Sequence, residues 1–166
     1  LANKKELYLK ALNRIIEQNP NHSEILRAYY LKANLYYEEG SRYDKQNKTG
    51  NKNGYVEAMK VIDEVLKKHD KNVNDFINLK NQITLVTFDH QLEAINLPDK
   101  PILMKFNLRN SNKLFLKIIP ISTSSYKSYY SEQNYEQKQN KLNGFIEKSS
   151  IASISYTLKS FDDYQT

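Results

Sequence analysis

Two hydrophobic periods divide the chain. Up to about residue 82 apolar side chains recur at helical spacing, and beyond it they alternate. In "ELYLKALNRIIEQNPN" Leu7, Ala11 and Ile15 fall four apart, with Tyr8, Leu12 and Ile16 beside them, which predicts a helix with one broad apolar stripe. Asn19-Pro20 ends it, because the residue before proline is pushed out of the helical region. Ser23 and Glu24 open a second helix carrying Ile25, Tyr29, Ala33, Tyr36 and Tyr37 on one side, with Gly40 as its expected terminator. "SRYDKQNKTGNKN" has no apolar period and reads as a mobile loop. A third helix places Tyr55, Ala58, Met59, Ile62, Val65 and Leu66 in order, and a shorter fourth offers Val73, Phe76, Ile77 and Ile83.

The period then changes. In "PILMKFNLRN" Ile102, Met104, Phe106 and Leu108 face one way and Lys105, Asn107 and Arg109 the other, as in a strand with one buried face. "KLFLKIIPI" repeats this with Leu114, Leu116 and Ile118, and Asn110-Ser111-Asn112 suits a hairpin turn between the two. "ITLVTFDHQLEAINLPDK" offers one or two further strands with a turn at Leu97-Pro98-Asp99, and "SIASISYTLKSF" another. Between them, "STSSYKSYYSEQ" reads as a Ser- and Tyr-rich loop, and residues 134–148 as a short helix anchored by Leu142, Phe145 and Ile146. The expected fold class is therefore α+β: N-terminal helical hairpins over 1–81, then an antiparallel, incomplete β-sandwich over 82–166 with a loop/helix insertion at about 122–150.

Composition narrows the function more than it identifies it. The net charge of +6 is spread: 15 basic and 11 acidic residues up to Gln82, then 10 and 8 beyond it. Interleaved signs point to a solvated surface, and no nucleic-acid partner is expected. The absence of cysteine removes disulfides, thiolate catalysis and Cys-ligated zinc. No run approaches the roughly 18 apolar residues of a membrane helix. The chain begins at Leu1 rather than Met and reads as a piece of a longer protein.

Candidate chemistry is sparse. His22, His69 and His90 stand far apart and outside any metalloprotease spacing. The adjacent pairs Glu38-Glu39 and Asp162-Asp163 lie in polar contexts, and "STSSYKS" has no nearby histidine to activate a serine. Phosphate-binding glycine motifs are missing from the sequence, and Asn21-His22-Ser23 and Asn47-Lys48-Thr49 fit the glycosylation triplet. No enzyme activity, cofactor or metal is expected. The 13 tyrosines suggest packing near a surface or groove, and Tyr29, Tyr30, Tyr36 and Tyr37 are the candidate partner-contacting residues.

Two resemblances follow. The helix pairs resemble tetratricopeptide repeats: Ala11 and Pro20 match the second helix of that pattern and Ala33 the small residue of a first helix, while Asp70 stands where a second Pro would be. That implies a protein- or peptide-binding groove, or a rigid spacer. "INLPDKPILMKFNLRNSNKLFLKIIPI" is similar to the opening strands of a macroglobulin-like domain, and "SYTLKSFDDYQT" to a later strand, with Tyr156 where a Trp is usual. The two together resemble a fragment of a bacterial alpha-2-macroglobulin-like protein. That resemblance implies a large secreted or envelope parent, in the periplasm or outside the cell and in some cases membrane-anchored. It implies partners among the parent's other domains and the proteases such proteins trap. The thioester of some members has no counterpart in a chain without cysteine. A sandwich cut at Thr166 would leave an unpaired edge, with an edge-strand dimer as its consequence.

Overall fold

A computed structural model describes residues 2–93, 100–159 and 162–165. Among these, the chain is α+β, with six helices and two antiparallel sheets of two strands each, both open. It divides into two units, residues 1–111 with 160–166, and residues 112–159.

The first unit begins with α1 (Ala2–Gln18), α2 (Ile25–Ser41), α3 (Gly54–Lys68) and α4 (Asn74–Thr84). Consecutive helices pack on one another, and α4 also reaches α2. Their apolar faces enclose one core, in which Ala33, Ala58, Ile62, Val65 and Ile83 are fully shielded and Phe76 nearly so. Leu79, not anticipated from the pattern, is buried in α4, whereas Ile77 faces solvent. The α1 stripe splits. Leu12 is buried and Ile16 packs on the core, but Leu7, Tyr8 and Ile15 stay exposed.

β1 (Thr87–Leu92) and β2 (Met104–Arg109) complete this unit as an antiparallel ribbon, with Phe88 opposite Leu108, His90 opposite Phe106 and Leu92 opposite Met104. Because side chains alternate, those six lie on one face and Thr87, Asp89, Gln91, Lys105, Asn107 and Arg109 on the other. β1 and β2, assigned to the β-module from the sequence, thus fall by their contacts in the unit that holds the four helices. Two polar side chains at the end of the ribbon are among its anchors. Arg109 donates to the Gln82 carbonyl at 2.8 Å, and the Asn110 side-chain amide donates to the carbonyls of Ile83 at 2.7 Å and Leu85 at 2.9 Å. These carbonyls lie at the end of α4, where a helix runs out of internal donors.

The second unit runs β3 (Lys113–Ile118), α5 (Thr123–Tyr130), α6 (Tyr135–Ile146) and β4 (Ala152–Thr157), with β3 paired to β4. Leu114, Leu116, Ile118, Ala152, Ile154 and Tyr156 share one face of that ribbon. The two helices cross between its strands. Tyr129 meets Phe145 edge to face, and Lys141 ties them together through Ser128 and Glu132. Among the described residues, the buried hydrophobic ones lie in the first unit.

Two expectations of local structure are corrected. The hairpin through Asn110-Ser111-Asn112 is not made: β2 pairs with β1 and β3 with β4. Asn110 does adopt the left-handed conformation expected of it (φ 57°), but spends it on the end of α4. The Ser- and Tyr-rich segment is helical from Thr123, because Ser122 caps it by accepting from the Ser125 amide at 3.2 Å. The stretch after α2 is a loop, as expected, and it folds on itself, with Asp44 and Thr49 bridged and the Asp44 carboxylate accepting from the Gln46 and Asn47 amides. The turn expected at Leu97-Pro98-Asp99 lies outside the described residues.

Candidate functional site

The four tyrosines singled out from the sequence all sit on α2, but they are not alike. Tyr29 is buried, and its hydroxyl donates to the Glu64 carboxylate of α3 at 3.1 Å. Burial and that carboxylate push its phenol above the usual range. Glu64 in turn is held below the ordinary carboxylate range by the ammonium of Lys68, against the opposing effect of burial and with help from Tyr29. Tyr30 is half-buried and meets Phe76 edge to face at 5.7 Å. Tyr37 tilts against Tyr55 at 5.5 Å, and Tyr36 is half-buried with its phenol raised by burial and by the nearby Glu57. Each of the last three rests on the core and keeps part of its surface in solvent.

The C-terminal end of α2 is the most constructed region. Gly40 does not end the helix by turning left-handed; the helix runs one residue past it. Gly40 serves close approach instead. Its absent side chain leaves room for the Tyr55 ring and backbone, since a Cβ there would lie 2.7 Å from the Tyr55 nitrogen. Gly54, the first residue of α3, in turn sits against the Gly40 backbone. Two glycines on either side of the 12-residue connection (42–53) therefore bring α2 and α3 together where their ends meet.

Onto this junction folds a short segment from the far end of the chain. The Gln165 side-chain amide donates to the carbonyl of Gly40 at 3.1 Å and of Lys52 at 3.4 Å. The Asp163 carboxylate, largely shielded, pairs with the Lys52 ammonium at 3.3 Å and accepts from the Gln165 backbone N–H at 3.1 Å. Between them Tyr164, at φ 57°, lays its ring against the helical core. "DDYQ" was expected to extend a strand. Instead β4 ends at Thr157, and the left-handed turn at Tyr164 is incompatible with an extended strand.

A second polar cluster joins the ribbon to the helices. The Arg109 guanidinium lies 5.4 Å from the Tyr55 ring centre and donates to the Tyr55 hydroxyl at 3.3 Å, while its Nε has no partner among the described residues. Burial raises the Tyr55 phenol and the guanidinium opposes that rise.

Groups considered for catalysis are not assembled. Among the described residues no three histidines or acidic residues converge as metal ligands. His22 lines a shallow cleft of about 260 Å³ with Ile15, Asn19, Glu24 and Ile25, and its Nδ1 accepts the Glu24 amide. His90 stacks on Phe88. Glu39 pairs with Lys5 at 2.8 Å and with Arg42 at 3.3 Å, and Ser122 serves as a helix cap.

The sequence pointed to the aromatic residues of α2 and to Gly40 only as a helix end; it did not show the approach of Gly54 to Gly40, the part of Lys52, or the run Asp163–Gln165. The available signal was the pair of glycines bracketing a polar connection. No protein-family profile, curated protein or solved structure matches the chain.

Proposed function

We propose that this chain is a non-enzymatic structural and interaction segment of a large secreted or envelope protein of the alpha-2-macroglobulin kind, contributing to protease inhibition by its parent. In this reading the helix pairs are tetratricopeptide-like spacers, and the two ribbons are strands of an incomplete β-sandwich. The observation that carries it is the open apolar face of the first ribbon: Phe88, Leu92 and Met104 are 54%, 51% and 40% exposed. A two-stranded ribbon is marginal alone, and an apolar face of this kind belongs against a second layer. Such a layer would come from the parent's other strands or, by edge pairing, from a second copy.

A free-standing tetratricopeptide-like adaptor is the second reading, favoured by the half-exposed tyrosines 30, 36 and 37 along α2. An antibody against this chain, used on fractionated cells, separates the two. A band several times longer than 166 residues in the envelope fraction supports the first reading. A band of about this length in the soluble fraction overturns it.

A further inference from the structure

The segment around Tyr164 contacts the helices as a bound peptide would. It reaches them from 125 residues away and ends in a side-chain amide aimed at a helix terminus. The last carbonyls of a helix lack internal partners and carry partial negative charge. Gln165 supplies a donor to one of them, the Gly40 oxygen, which also accepts the Tyr43 amide. The same electrostatics would repel Asp163, but Lys52, from the connection between the helices, lies opposite it. Tyr164 adds apolar contact with the core between these polar ends. Acid, aromatic ring and amide therefore each meet a matching group on an already folded helix pair.

We propose that the α2–α3 junction, formed by the Gly40 and Lys52 carbonyls, the Lys52 ammonium and the adjoining core, is a docking site for a short acidic–aromatic–amide peptide, occupied by the chain's own residues 162–165. The site recognises three consecutive side chains, and its resident segment is exchangeable with the same sequence supplied in trans. The inference stands apart from the nature of any parent protein, because it concerns groups within the helical unit.

The test uses the full chain carrying Tyr164→Ala and Gln165→Ala, which keeps the segment but removes its grip, and a fluorescent peptide of residues 159–166 as probe. Fluorescence anisotropy should rise saturably with this variant. The unaltered chain should bind at least about tenfold more weakly, because its tethered segment competes at an effective concentration of roughly millimolar. Adding Lys52→Glu should weaken binding several-fold, and a peptide with Asp163→Lys should regain it. Saturable binding equal in the altered and unaltered chains, or none to a variant with an unchanged helical spectrum, overturns the proposal. Should that variant lose its helical spectrum, the unaltered chain is folded and then nicked at a protease site inserted after Lys159. Uptake of the labelled peptide by the nicked chain supports the site. A nicked chain that keeps its helices and takes up no peptide overturns it.

Discussion

Gly54 rests against Gly40 so closely that a methyl group on it would lie 2.6 Å from the Gly40 Cα and 2.7 Å from the Tyr36 carbonyl oxygen. Both obstacles are backbone, which cannot swing aside as the end of a side chain can. Gly54→Ala should therefore destabilise the protein by about 1–3 kcal/mol, the usual cost of forcing atoms into filled space. Urea denaturation followed by far-UV dichroism measures this directly. An unchanged midpoint would mean that the two helices are not held this close.

Gly144 presents the opposite case. It lies inside α6, and a Cβ there meets nothing within 4 Å. Gly144→Ala should stabilise that helix by about 0.5–1 kcal/mol, because alanine surrenders less backbone freedom on folding. Slower amide exchange along residues 135–146 would register the gain.

The Tyr29–Glu64 pair predicts pH dependence at both ends of the scale. Glu64 is depressed in the folded protein, so its stabilisation is complete above the unfolded value of about 4.3 and disappears as pH falls through the lower folded value. The stability difference between the native chain and Glu64→Gln should shrink on titration into acid. Tyr29 is raised, so its contribution is intact below about pH 10 and lost as pH climbs through the folded value. Tyr29→Phe should cost about 1 kcal/mol at neutral pH, with a smaller penalty in strong alkali. Denaturant midpoints across pH check both arms.

Arg109 and Asn110 attach the first ribbon to the helices, and their side chains do so differently. Arg109→Lys keeps the charge but loses the planar fork that reaches both Tyr55 and the Gln82 carbonyl, so it should recover only part of the loss seen in Arg109→Ala. Arg109→Ala should raise the Tyr55 phenol further, since Arg109 is the nearby charge that lowers it, and Arg109→Lys, which keeps that charge, should raise it less. Ultraviolet titration of tyrosine reads that shift. Asn110→Gly tolerates the left-handed backbone but forfeits two hydrogen bonds, whereas Asn110→Ala loses both and adds strain. The alanine variant should be the less stable of the two in urea.

The second unit should open more easily than the first. Its 48 residues, 112–159, contribute none of the buried hydrophobic residues, and Phe115 and Tyr135 are among its most exposed large side chains. Hydrogen exchange should show amides in β3 and β4 exchanging well before those of α3, where seven residues are buried. Comparable protection in both would contradict this.

What was legible in the sequence follows from the range of the forces involved. Helices α1 to α4 were read nearly to their ends, because apolar spacing and the Asn19-Pro20 stop are local signals. The strands β2, β3 and β4 were visible in their alternation. Pairing was not: Phe88 opposite Leu108 and Leu116 opposite Ile154 depend on which strands meet, and alternation is silent on that point. The Ser122 cap was overlooked because serine-rich sequence resembles loop as much as helix start. The docked Asp163–Gln165 run escaped entirely, since its partners Gly40 and Lys52 lie more than a hundred residues away and share no periodicity with it.

That separation also fixes an order of events. During synthesis the four helices can gather as soon as Thr84 has emerged, since their contacts are local. The Gly40 carbonyl must then wait for Gln165, the 125th residue after it, and at about 5–20 residues per second the delay is several seconds to half a minute. A nascent chain interrupted anywhere in the second unit holds its helices with their seam unfastened. Closure of that seam is a molecular receipt for complete translation of everything in between.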